Sequence, residues 1–91
     1  MSSFFAEFVH TDNGVTCSDS GFIDLSTAQE CSGAVNYAMS FNGKTKYIGQ
    51  MNLGDRPKGC IIEDSGLMYF NAHSTGLVYS YYRNICRKGN I

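Results

Sequence analysis

The chain has no run approaching the ~20 apolar residues of a helical membrane span, no close pair of cysteines, no Asn-x-Ser/Thr sequon and no Lys or Arg before Lys44. Each absence excludes something. Membrane insertion lacks its segment. With a net charge of −1, the basic surplus that an obligatory nucleic-acid or anionic-membrane partner demands is missing too. Zinc sites draw cysteines in closely spaced pairs, whereas Cys17, Cys31, Cys60 and Cys86 are spread almost evenly, so no metal is expected. Gly54 and Gly59, around Asp55-Arg56-Pro57-Lys58, lack the spacing of a phosphate-binding loop. No cofactor is expected.

What remains is 91 residues, 43% hydrophobic and 16% charged, a composition that makes one globular domain rather than a disordered tail. A domain of this size buries about 60–65% of its unfolded surface, and its core alone gives thin stability. The four cysteines therefore read as two disulfides, each worth about 3–4 kcal/mol, and their reduction should unfold the chain. Such domains belong outside the reducing cytosol. Met1 to Phe8 shows neither a basic segment nor a continuous apolar run, so no leader is visible. Two readings stand: oxidised cysteines in an extracellular or secretory or organelle lumen, or free thiols in the cytosol. The cysteine spacing favours the first.

Along the chain, Phe4 to His10 alternates as an opening strand would. Asp12-Asn13-Gly14 and Ser18-Asp19-Ser20-Gly21 are turns. Ser26-Thr27-Ala28-Gln29 fits a capping box in which Gln29 returns a hydrogen bond. Beyond it Ala28, Cys31, Ala34, Val35 and Ala38 recur at helical spacing, and the helix fades at Met39 to Phe41 before Asn42-Gly43. Tyr47 to Met51 is a short strand, and Leu53 to Gly59 a loop with the only proline. Cys60-Ile61-Ile62, a turn at Glu63 to Gly66, and Leu67 to Asn71 form a hairpin. Ala72 to Gly76 reads as a loop, and Leu77 to Ile85 as a last strand with Tyr79 and Tyr81 on one face. This order predicts an α+β fold, one helix on a curled antiparallel sheet of four to five strands. Of the three possible connectivities, Cys31 to Cys60 with Cys17 to Cys86 pins the helix to the sheet and gathers the ends.

The candidate ligand-binding residues are Tyr69, Asn71, His73, Tyr79, Tyr81 and Arg83. Tyrosine buries wide apolar area while keeping a hydroxyl for a partner, and Arg83, Arg87 and Lys88 would supply a basic rim suited to acidic saccharides. His73-Ser74-Thr75-Gly76 reads first as turn chemistry and second as a ligand contact. Asn71 likewise caps a loop before it touches a ligand. Met68 and Phe70 are core. A cysteine paired with His10 or His73 as base is formally possible, as is a small hydrolase built on His73 with a carboxylate, but no enzyme is expected. The function expected is binding of a protein or carbohydrate. The alternative is an assembly subunit, a homo-oligomer or part of a larger complex. It would dock through an acidic half, residues 1–43 with five acids and no Lys or Arg, and a basic half carrying all seven bases.

Pro57-Lys58-Gly59-Cys60, the run from Leu67 to Gly76 containing Tyr69-Phe70-Asn71 and His73, the segment Asn84-Ile85-Cys86-Arg87-Lys88, and Thr27-Ala28-Gln29-Glu30-Cys31 form a pattern. It resembles a cysteine-containing module of marine algal and protist proteins, a module that implies no activity. A looser likeness is to PAN/apple domains, in which a cysteine-bearing helix is tied to an antiparallel sheet. That resemblance implies an extracellular adhesive role. Apple-type domains place more cysteines around the helix, where this chain has Cys31.

Overall fold

Residues 7–89 are described in a computed structural model. Their strands are β1 (Phe8–His10), β2 (Ile23–Asp24), β3 (Lys46–Met51), β4 (Pro57–Glu63), β5 (Leu67–Gly76) and β6 (Tyr82–Arg87), with helices α1 (Ala28–Gly33) and α2 (Val35–Met39) and a 3-10 turn at Ser18–Ser20. Of the expected opening strand, Phe8–His10 is formed, and residues 4–6 lie outside the described residues.

The helix starts one residue later than its sequence signal. Thr27 is the cap, its hydroxyl accepting from the Glu30 amide at 3.0 Å, and the Glu30 carboxylate returns to the Ser26 amide at 2.7 Å. That returned bond is the main reason Glu30 stays ionised below the ordinary range of a glutamate. The single helix expected is two short ones. Gly33, a poor helix former, precedes Ala34 at φ −90° and ψ 4°, where a tightened bond from the Ala34 amide to the Cys31 carbonyl interrupts the ladder. The apolar face survives the break: Cys31, Ala34 and Ala38 are buried against Cys60, Ile62, Met68, Phe70 and Ile85.

The sheet has six strands, not four or five, and it is mixed. Its order is β1-β6-β4-β5-β3, with β2 also paired to β6. All pairs are antiparallel except β3 with β5. After β3 the chain reverses into β4 one position away, and the hairpin return, β5, fills the gap between them. Lying between two strands that run in opposite senses, β5 has to be parallel to one of them. On β6, Cys86 and Arg87 pair with both β1 and β2. A ladder residue has one partner on each side, so β2 continues the line of β4 beside the end of β6.

Both disulfides have the expected connectivity, with Cα separations of 5.8 Å for Cys17–Cys86 and 5.3 Å for Cys31–Cys60. They lie on opposite faces of the sheet. Cys60 and Ile85 are ladder partners facing the helices, and Cys86, the next residue, points the other way. The last two segments exchange roles relative to expectation: Ala72 to Gly76 belongs to β5, and residues 77–81 form a loop before β6.

Candidate functional site

That loop builds the site. Gly76 ends β5 at φ +62°, and a Cβ there would lie 2.5 Å from both the Arg56 carbonyl oxygen and the Lys58 nitrogen, so only glycine lets the chain turn here. The Leu77 amide then bonds the Arg56 carbonyl at 2.8 Å, a turn closes from the Tyr82 amide to the Tyr79 carbonyl at 3.1 Å, and the Gly14 amide holds the Tyr82 carbonyl at 2.9 Å. Tyr79, Tyr81 and Tyr82 are thereby gathered around an open groove of about 450 Å³, completed by Arg56 and by Glu63, Asp64 and Ser65 at the β4–β5 tip. The Tyr79 ring lies nearly parallel to Tyr82 at 6.4 Å and edge-on to Tyr81 at 6.2 Å. Tyr82 is buried at 7% exposure; Tyr81 is 69% exposed.

Polar contacts fix the floor. Arg56 Nε donates to the Tyr82 hydroxyl at 3.1 Å, which donates to Glu63 Oε2 at 3.2 Å, while the Ser65 hydroxyl donates to Glu63 Oε1 at 2.9 Å. Burial is the main cause that raises the Tyr82 phenol above its ordinary value, so it stays protonated and able to donate. The Arg56 guanidinium lies 5.6 Å from the Tyr79 ring centre and 3.2 Å from Asp55. Asp64 Oδ1 accepts from Asn13 Nδ2 at 2.9 Å.

Of the six residues expected to bind ligand, Tyr79 and Tyr81 meet here. Tyr69 stands in mid-strand between Ile61 and Gly49, half-buried, and does not line the groove. Asn71 is 1% exposed; its amide donates to the carbonyls of Leu53, Arg56 and Pro57, and its oxygen accepts from the Leu53 and His73 amides. No polar atom of it is left over. His73 Nδ1 accepts from the Thr75 and Gly76 amides at 3.2 and 2.9 Å, the turn chemistry expected of it, and His73 lines a separate depression with Asp24, Ser26 and Lys58. Arg83 turns to the helix face, bonding the Thr11 carbonyl at 3.2 Å.

The basic rim is not at the tyrosines. Arg83, Arg87, Lys88 and Lys58 lie within 3.5–3.9 Å of Asp12, Glu30, Glu7 and Asp24, each base meeting an acid from the other half of the chain. Tyr82, Arg56, Glu63, Asp64 and Ser65 are the groove residues outside the expected set of six. The last three carried a turn signal only.

On the helix face, His10 stacks on Phe41 with ring centres 3.8 Å apart, and its Nδ1 lies 2.6 Å from the Tyr37 hydroxyl. Burial foremost, then the Arg83 charge, lower its pKa from 6.5, against a smaller opposing effect of Asp12. The unfolded chain therefore binds more protons just below pH 6.5, and stability rises with pH through that window. It is complete above about 6.5 and is lost as pH falls to the folded value. Melting temperature should drop between pH 7 and pH 5, and His10→Phe should flatten that drop. An equally steep drop in the variant would assign it to another group.

All four sulfurs are in bridges, so no thiol is available to either imidazole. Among the described residues no group of three or more His, Cys, Asp and Glu side chains has the arrangement of a metal site, and no helix is long and apolar enough to cross a membrane. Comparison with protein-family models, with curated proteins and with solved structures yields no match to the chain.

Proposed function

We propose that the chain is a non-enzymatic binding module of an extracellular or lumenal compartment, and that its partner, a protein or a carbohydrate, seats on the groove of Tyr79, Tyr81 and Tyr82. The observation that carries this reading is the gathering of two loop rings, Tyr79 and Tyr81, against Tyr82 of β6 on a frame fixed by two bridges. Tyrosine offers large amphipathic contact area with only two side-chain torsions to freeze, and a frame already ordered loses little entropy on binding. The pairing of N-terminal acids with C-terminal bases inside one chain removes most of the charge that docking between copies would use.

Arrays of peptides and glycans probed with the oxidised protein test this reading, with Tyr81→Ala as the control. Tyr81 is mostly exposed, so its removal should leave the melting temperature unchanged and weaken the captured ligand by tenfold or more, about 1.4 kcal/mol. Undiminished capture by the variant, or no capture on either array, sinks it.

A further inference from the structure

We infer that the groove takes a cationic peptide, an extended segment bearing arginine, an inference that rests on the binding-module reading above. Glu7, Asp12, Asp24, Glu30 and Asp55 each lie within 4 Å of a Lys or Arg nitrogen. Glu63 and Asp64 have no such partner among the described residues, and both line the groove. Asp19, the remaining acid, does not. Glu63 is held only by the neutral hydroxyls of Tyr82 and Ser65, and Asp64 only by Asn13 Nδ2 at one oxygen. Two carboxylates without a direct ion-pair partner thus stand beside three tyrosines.

Aromatic faces attract cations through the ring quadrupole, arginine most often, and a planar guanidinium also stacks on the ring and engages carboxylates bidentately. The groove already shows this preference with its own side chain: Arg56 lies over Tyr79 and donates to the Tyr82 hydroxyl. Asp55, at 3.2 Å, pairs with that internal guanidinium, Glu63 and Asp64 have no base of their own within 4 Å among the described residues, and Tyr81 keeps an open face. A peptide fits better than a saccharide. An acidic sugar meets two carboxylates of its own sign, and a neutral sugar leaves them unpaired, whereas an arginine stem lies along the rings with its head at the hairpin tip.

The test titrates the oxidised full chain with a capped peptide alternating arginine and alanine, its citrulline counterpart, a neutral cello-oligosaccharide and a sulfated oligosaccharide. Calorimetry and the ring resonances of Tyr79 and Tyr81 are the readouts. The arginine peptide should bind, weaken as salt is raised, and exceed the citrulline peptide by about tenfold. Glu63→Gln with Asp64→Asn, which removes both charges at nearly constant shape and trades one acceptor oxygen of each side chain for an NH2 donor, should lower its affinity by a similar factor while the variant keeps a cooperative melt. Equal binding of the citrulline peptide, or tighter binding of either sugar, would overturn the cationic ligand and leave the binding groove standing. So would a concentration-dependent dimer that the peptide fails to dissociate, since a second copy would then fill the site. Unmoved Tyr79 and Tyr81 resonances with every probe would sink both readings.

Discussion

Reduction of both bridges is expected to unfold the chain at room temperature. Cys31–Cys60 spans 29 residues of sequence and Cys17–Cys86 spans 69, for which loop-closure entropy gives about 3.6 and about 4.4 kcal/mol. One loop is nested in the other, so their joint effect is less than the sum. Against a net stability on the order of 5–10 kcal/mol for a domain of this size, even a reduced sum leaves little. The core cannot compensate, because Cys31, Cys60, Ala34 and Ala38 make up much of its helix-facing cluster, and deleting sulfur deletes packing as well. Replacing one pair by alanine should leave a folded protein whose melting temperature falls on the order of 15–25 °C. Replacing both should abolish the near-ultraviolet tyrosine signal. A reduced and alkylated chain that keeps that signal and a cooperative melt would show that the core suffices without sulfur.

The bridges were legible because the helix was. Ala28, Cys31, Ala34, Val35 and Ala38 repeat at helical spacing, which put Cys31 on the face that meets the sheet. The parallel β3–β5 pair was not legible, since alternation in Lys46–Met51 says which face is buried and nothing about which strand lies alongside. The end of the chain was misread for a local reason. Leu77, Val78, Tyr79 and Tyr81 look like a strand by composition, yet Gly76 at φ +62° and the bond from Leu77 to Arg56 turn them out of the sheet, and all four are exposed. With the strand starting instead at Tyr82, the basic rim follows wrongly or rightly from parity. Tyr82 and Arg83 are neighbours in β6 and must point to opposite faces, so Arg83 and Arg87 go to the helices while Tyr82 goes to the groove. Glu63, Asp64 and Arg56 reach the tyrosines from a hairpin tip and a loop, and only tertiary structure brings such segments together.

Asn71→Ala is expected to be as damaging as the loss of a bridge, although it removes only a carboxamide. Asn71 is buried on β5, and its two N–H bonds are shared among the carbonyls of Leu53, Arg56 and Pro57 at 2.9, 3.1 and 2.9 Å, while its oxygen takes the Leu53 and His73 amides at 3.0 and 3.3 Å. Alanine leaves these backbone groups without that partner, the Pro57 carbonyl fully buried and the others partly so, and each buried group left so costs about 1–3 kcal/mol. Partial relaxation of the 53–57 loop should bring the total to about 3–4 kcal/mol, a fall in melting temperature on the order of 15–25 °C. Aspartate is the sharper probe: it keeps the acceptor, loses the donors and sets a carboxylate against three carbonyl oxygens. Asn71→Asp should therefore be destabilised at neutral pH and regain stability as acid protonates the new side chain. Because Arg56 belongs to the loop that Asn71 ties down, both variants should also weaken ligand at the tyrosine groove, with no contact of their own. A melting temperature within a few degrees of the parent for Asn71→Ala would mean that the 53–57 loop holds itself. The groove's Arg56 would then need some other anchor than this amide.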